Sequence, residues 1–523
     1  MTTSLPIGPF APELVVLAGA LVIFALDAAG VRRWRIEAFG GIAAAATALA
    51  LVLVTADLGF GPLAALRTIG AGTVDGPVGP TALYAFTSLG LIFQAIFLLS
   101  ALLVALASLS RRSDEPGASI FFGLLLTATL GMLLTAAAAD LIFLLLAIEV
   151  TGISTYLLVG YTRRDPRGLE AAMKFYIVGA LSTALSFFGA SLLFGAFGST
   201  NFVVLGQGTG PAPYPYLALA GYALLIAGIG FKLTLVPFHM WAVDVYDGAP
   251  TDVSAFLAGG SKKIGLFGFF LVFAGPVALT AGRSVACAAN GCTPFDFGPT
   301  IALTLGVVAV VTMTVGNVLA LLQREMKRML AYSSISQAGY MLIGIAIGTA
   351  PAIAGATLQV FGHVFMKAGA FLVVAAVAGL GVGPLIDDWA GLGRRRPVLA
   401  VAFALMLLSL AGIPLTIGFV SKFVLFSSAV QAQGWFVVLA IAGLLNSALS
   451  VFYYARVLKV VFLDAGPAGG APAGNTLPVG GLGWGRAAAI GLAAVAIVAF
   501  GVDPQPVLGP IQAAATHFLS VGV

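Results

Sequence analysis

Cysteine and charge are what this chain has least of. Two of its 523 residues are cysteines and only 9% are Asp, Glu, Lys or Arg. Two thiols are too few for an iron–sulfur cluster, which usually takes four. Nothing in the chain resembles a phosphate-binding glycine loop, a dinucleotide fingerprint or a zinc site. A chain so equipped is expected to hold no cofactor or metal and to carry out no redox or hydrolytic chemistry of its own. The scarcity of charge also leaves no room for a soluble domain of useful size. The excess of five positive charges does not indicate nucleic-acid binding, because the arginines are divided among loops rather than gathered into one patch.

What is present is apolar: 60% of the residues are hydrophobic, with 66 glycines and 26 prolines that suit packed membrane helices. Runs of about 20 apolar residues, long enough to cross a hydrocarbon core, recur from end to end. They predict an all-α polytopic membrane protein of about 14 spans. The expected spans are 11–29, 37–57, 82–108, 119–138, 140–160, 170–197, 216–242, 251–275, 299–322, 329–347, 352–380, 399–429, 435–462 and 484–502. The first has no basic region ahead of it and more spans behind it, so it is expected to be a span and not a cleaved signal.

The basic residues check that count. Loops after odd-numbered spans hold Arg32, Arg33, Arg35, Arg111, Arg112, Arg163, Arg164, Arg167, Arg324, Lys327, Arg328, Arg394, Arg395, Arg396, Arg456, Lys459 and Arg486; loops after even-numbered spans hold only Arg67 and Arg283. The positive-inside rule then puts the odd-to-even loops in the cytoplasm and both termini outside. Cys287 and Cys292 share an outer loop between the eighth and ninth spans, where a disulfide and two free thiols are both open readings.

The remaining basic residues, Lys174, Lys232, Lys262, Lys263, Lys367 and Lys422, fall inside the spans themselves, as does Glu149. An ionisable group there is costly and usually faces a polar interior, so a polar path through the bundle is expected. The seventh span places Lys232 five residues before Pro237, and the twelfth places Lys422 eight residues after Pro414. A proline in mid-span removes a ladder hydrogen bond and frees a carbonyl, which predicts two broken helices lining a cavity. Breaks at corresponding places point to two inverted repeats of five spans each, since an odd number reverses orientation. The expected division is a three-span segment 1–118, a first repeat 119–275, a second repeat 299–463 and a C-terminal helix and tail 464–523.

Glu149 lies nine residues from Asp140, about 13 Å along the helix axis and near mid-membrane. Desolvation penalises the charged form of a lone buried carboxylate or ammonium, whereas side by side they hold each other charged. A pair that forms and breaks is a gate, and Lys232 is the expected partner of Glu149. Lys262 and Lys263 point about 100° apart on one helix, so only one of them is expected to face the path. His363 and Lys367, four residues apart, share a helix face and suit a relay step between the repeats. His239, just past Pro237, is either a relay or a helix-stabilising hydrogen bonder. Lys174 lies about one turn into the sixth span, where it either joins the path or snorkels to the surface.

The segment PFHMWAVDVYDGAPTDVSAFLAGGSK, from Pro237 to Lys262, resembles the signature of the antiporter-like membrane subunits of respiratory complex I, a family shared with Mrp-type cation/proton antiporters. DLIFLLLAIEVTGISTYLLVGY, QREMKRMLAYSSISQAGYMLIG and LSLAGIPLTIGFVSKFVLF resemble the same family, and together these motifs cover most of residues 119–430. DVYDGAP is most similar to the subunit N branch of NADH-quinone oxidoreductase, while GHVFMKAGAF looks more like the sister subunits and the Mrp antiporters. The resemblance implies a fourteen-helix fold with two half-channels, in the plasma membrane of a prokaryote. It implies proton translocation coupled to quinone reduction, with flavin, iron–sulfur centres and quinone in partner subunits. By the family pattern Glu149 and Lys232 are the gating pair, Lys262 the central relay and Lys422 the exit lysine, with Lys174 at a family lysine position. An Mrp-type sodium/proton antiporter subunit is the competing expectation.

Overall fold

The computed structural model describes residues 8–30, 36–59, 74–76, 79, 81–110, 117–162, 165–207, 214–278, 297–465 and 482–521. Cys287 and Cys292 lie outside the described residues, as do several of the basic loop residues. The described part is helical, and thirteen of its helices are long and apolar enough to cross a membrane. The spans expected from the sequence are found in the expected order. The twelfth consists of two shorter apolar helices, Pro397–Ala411 and Ile417–Ala432.

Helix boundaries follow local chemistry. The Asp140 carboxylate accepts from the amides of Ile142 (2.8 Å) and Phe143 (3.3 Å) and so caps the fifth span, Leu141–Val159. Asp165 caps the sixth, Pro166–Phe197, whose proline stands where a helix needs no amide donor. Gly198, at φ +71°, ends it in the left-handed conformation that glycine enters without strain.

Both expected breaks are present. In the seventh span a helix Pro215–Leu233 ends at Thr234 (φ +62°), passes Pro237, and resumes as Met240–Gly248. In the twelfth the break runs through Gly412 (φ +91°), Pro414 and Leu415 (φ +68°). The freed backbone of the first break is partly met by Thr312 of the ninth span, whose hydroxyl accepts from the Val236 amide at 3.1 Å.

Packing order repeats along the chain. The fourth span packs on the fifth as the ninth does on the tenth, the fifth on the sixth as the tenth on the eleventh, and the sixth on the seventh as the eleventh on the twelfth. Loops also sort onto two faces. On one, Lys327 donates to the carbonyls of Asp247 and Ala249, Arg328 pairs with Asp244 (3.2 Å), and Arg486 pairs with Asp252 (3.2 Å). On the other, the Leu141 amide bonds the Thr200 carbonyl (2.9 Å), and Asn201 donates to Ala82 (2.8 Å). The first set joins loops after odd-numbered spans and the second joins loops after even-numbered ones, which is the alternation the arginines required.

Three features were not expected. The eighth span passes through a π-helical turn, Leu257–Ser261, immediately before its two lysines, and the eleventh through another, Val364–Ala368, which holds Lys367. A further helix, Gln505–Val521, comes after the fourteenth span and packs on the eleventh.

Candidate functional site

The two π turns face each other, and the third span meets them there. A Cβ on Gly259 would come within 2.8 Å of Ala368 and 2.9 Å of the Ser100 hydroxyl, so glycine is what lets three backbones approach. A π turn carries an extra residue and shifts the register of the helix beyond it, a distortion concentrated at functional sites. Here the shift serves a cluster of buried basic groups: Lys262, Lys263, His363 and Lys367 all lie in the interior. Both adjacent lysines are buried, but only Lys262 of the two has a hydrogen-bond partner among the described residues.

Each lysine is held differently. The Lys262 ammonium donates to the Ser334 carbonyl at 2.7 Å and contacts its hydroxyl at 3.3 Å. Lys367 donates to the Ser333 hydroxyl at 2.7 Å and the Leu330 carbonyl at 3.2 Å, and Ser333 in turn bonds Tyr454. Lys263 Nζ is buried with no hydrogen-bond partner among the described residues, and the His363 ring, also buried, lies against the backbone of Ala258 without a well-formed hydrogen bond.

The tenth span is the common scaffold. It presents Ser333 and Ser334 to the cluster and, one turn on, Gln337. Gln337 accepts from Gln359 at 2.7 Å and donates to the Leu410 carbonyl at 3.3 Å; Gln359 accepts from Ser421. Leu410 is also an acceptor for Lys422, whose ammonium donates to Leu410 (2.9 Å), Ala411 (3.0 Å) and the Ser447 hydroxyl (2.9 Å), 4.9 Å from the Tyr340 ring centre. The ammonium thus sits on the carbonyls freed by the break, at the negative end of the preceding half-helix. The polar stripe of the tenth span was readable as SSISQ in an otherwise apolar run, but which lysines it reaches depends on helix rotation.

At the other end, Lys232 closes the first half of the seventh span. Its ammonium contacts the Tyr156 hydroxyl (3.3 Å) and lies 5.0 to 5.8 Å from the ring centres of Tyr156, Phe231 and Phe175. Cations gain from aromatic faces when desolvated. Gly152 makes the space, since a Cβ there would be 2.8 Å from Lys232 Nζ. Glu149 is one turn away and half-buried, accepts from Thr183 at 2.5 Å, and forms no ion pair with Lys232. The deeper carboxylate by exposure is Glu13, which accepts from Gln94 at 2.7 Å. No hydrogen bond among the described residues joins Lys232 to Lys262, although Leu233 and Gly265 of the two helices touch.

The remaining expected residues lie apart from this line. Lys174 is exposed and pairs with Glu170 (2.8 Å) and Asp244 (2.9 Å). His239 is half-buried at the first break, with Nδ1 unpartnered among the described residues.

Residues 138–450 match the family described as NADH:quinone oxidoreductase/Mrp antiporter, membrane region. The matched stretch holds both breaks and every lysine of the buried line. The chain belongs to this family. It is 38% identical over 506 residues to F(420)H(2) dehydrogenase subunit N of Methanosarcina mazei, covering 95% of this chain and 96% of that one. To NADH-quinone oxidoreductase subunit N 2 of Sorangium cellulosum it is 36% identical, over 87% and 88% of the two chains. A chain of respiratory complex I from Thermus thermophilus superposes with a TM-score of 0.72 at 29% identity, over 95% of this chain and 98% of that one. The expected kinship with the subunit N branch of the NADH:quinone oxidoreductase/Mrp antiporter family thus agrees with the names its relatives carry.

Proposed function

We propose that the chain is a proton-translocating membrane subunit of a complex-I-like assembly and that protons travel along Lys232, Lys262, Lys367 and Lys422. The single observation that carries the reading is that three of these buried ammoniums, Lys262, Lys367 and Lys422, lie along the polar stripe of the tenth span, with Lys232 beside the break at the other end. An amine that gives its proton to the next site and receives one from the last returns to its starting state, so the line conducts without net chemistry. Glu149 and Lys232 act as the gate. Unpaired, as here, they leave the lysine free to pass its proton on; paired, they hold it charged. The gap between Lys232 and Lys262 is where water must enter, and Lys263 and His363 lie beside the line beyond it.

In this reading the units 119–275 and 299–463 each carry half of the path, and Lys422 exchanges protons at the outer face. Partner subunits supply flavin, iron–sulfur centres and quinone and drive the gate. NADH and F(420)H(2), named in the relatives, are the two donor types such an arm would serve. The assembly lies in a prokaryotic plasma membrane with both termini of this chain outside. Isolation from the native membrane in mild detergent tests the assignment. Co-purification of redox subunits, together with pumping lost in Lys232→Met or Lys422→Met while electron transfer persists, is the expected result; unimpaired pumping in both variants contradicts it.

One observation favours a second reading. His363 and Lys367, in GHVFMKAGAF, give the cluster the character of an Mrp-type sodium/proton exchanger. Sodium-dependent proton uptake by the purified chain in liposomes, with no redox subunits attached, would select it.

A further inference from the structure

We propose that the groove between the first half of the twelfth span and the fourteenth span is a binding site for one anionic phospholipid, its phosphate held by Arg395. The groove encloses about 600 Å³, with Val398, Val401 and Leu405 on one wall and Ile490, Ala494 and Val495 on the other. Both walls are apolar helices of the spanning bundle, and the groove opens outward: Val398 is 84% exposed and Val495 67%. Its floor is vacant at Gly491, where a Cβ would meet nothing within 4 Å.

An acyl chain gains little by leaving bulk lipid for an apolar groove, because lipid tails are as apolar as the wall. Selectivity has to come from the headgroup, and the mouth of the groove is basic. Arg395 and Arg396 line it on the face where the arginine-rich loops collect, and among the described residues no carboxylate lines it. Arg395 spends a single donor on the Ala390 carbonyl (2.8 Å), and a guanidinium carries five N–H donors. The planar fork that remains matches two phosphate oxygens. Trp484, 71% exposed at the start of the fourteenth span, sits at the same level, where an indole anchors to headgroups. Charge at the mouth, an apolar slot below it and an interfacial indole together describe a lipid with a net negative head. The inference stands apart from the proton reading and survives its failure.

Native mass spectrometry of the full chain, reloaded with equal amounts of phosphatidylglycerol and phosphatidylcholine, tests it. Each arginine near the surface contributes about fivefold to the preference for the anionic lipid. Arg395→Gln is therefore expected to reduce that preference by about fivefold. Gly491→Leu fills the slot, leaves the arginines intact and is expected to remove one retained lipid of either class. Equal retention of the two lipids by the wild type, or unchanged phosphatidylglycerol retention in both variants, overturns the proposal. So does a photo-crosslinker at Val401 that captures a neighbouring subunit in the native assembly instead of lipid.

Discussion

Lys232 and Lys422 stand beside the two breaks and yet are held by opposite means. Lys422 rests on three oxygen acceptors, while Lys232 has one phenol and three aromatic faces. A cation with one weak acceptor is the easier of the two to move, which suits a gate at Lys232 and a holding site at Lys422. The space for that movement is Gly152. Gly152→Val is therefore expected to displace the ammonium from Tyr156 and to reduce pumping at least tenfold, a change of about 1.4 kcal/mol in the lysine's position. Proton uptake by reconstituted assembly measures it, and wild-type rates would show that the position of Lys232 is not what Gly152 protects. Lys263 invites a different test. A buried ammonium without a partner costs several kcal/mol relative to an apolar side chain of similar volume. Lys263→Met is expected to raise the thermal midpoint of the purified chain. A lowered midpoint would mean that bound water satisfies the ammonium fully.

At the scale of helices, the breaks were legible because proline and lysine are conspicuous within an apolar run, and each has a physical consequence there. The π turns were not legible. The glycine pair in LAGGS is a weak helix former without naming a π turn, VFMKA carries no signal at all, and Gly259 is what lets the eighth span approach Ala368 and Ser100. Nor could the sequence say that Glu149 and Lys232 would lie near each other without an ion pair, since that depends on how the fifth and seventh spans rotate about their axes. The helix Gln505–Val521 escaped notice because Pro510 interrupts an already short apolar pattern. The twelfth span shows how tightly a break is held once formed. A Cβ on Gly418 would collide with the Ser409 carbonyl oxygen, where the two half-helices cross. Gly418→Ala is expected to destabilise the chain by about 1–3 kcal/mol, the usual cost of overpacking, and to weaken pumping by shifting Lys422. Thermal unfolding and proton uptake check the two parts, and an unchanged midpoint would mean that the halves separate freely.

For the whole molecule, the alternation of basic loops and the two-faced sorting of loop contacts are the same fact seen twice. The arginines were informative because the rule they obey concerns the membrane and not the packing. Arg394→Cys and Tyr214→Cys, each in a chain otherwise free of cysteine, place thiols in loops after an odd and an even span. They are expected to react with an impermeant thiol reagent from opposite sides, with Tyr214→Cys labelled from outside. Labelling of both from one side would break the span count; labelling with the sides exchanged would keep the count and reverse the orientation. The central claim is that a proton crosses this chain through Lys422. The measurement that addresses it most directly is the number of protons moved per electron by the intact assembly in proteoliposomes, with Lys422→Met set against Lys459→Met. Lys459 is exposed and lies at the end of the thirteenth span, away from the buried line. The account predicts a reduced ratio for Lys422→Met, at electron-transfer rates near wild type once an uncoupler is added, and an unchanged ratio for Lys459→Met. An unchanged ratio for Lys422→Met would contradict it.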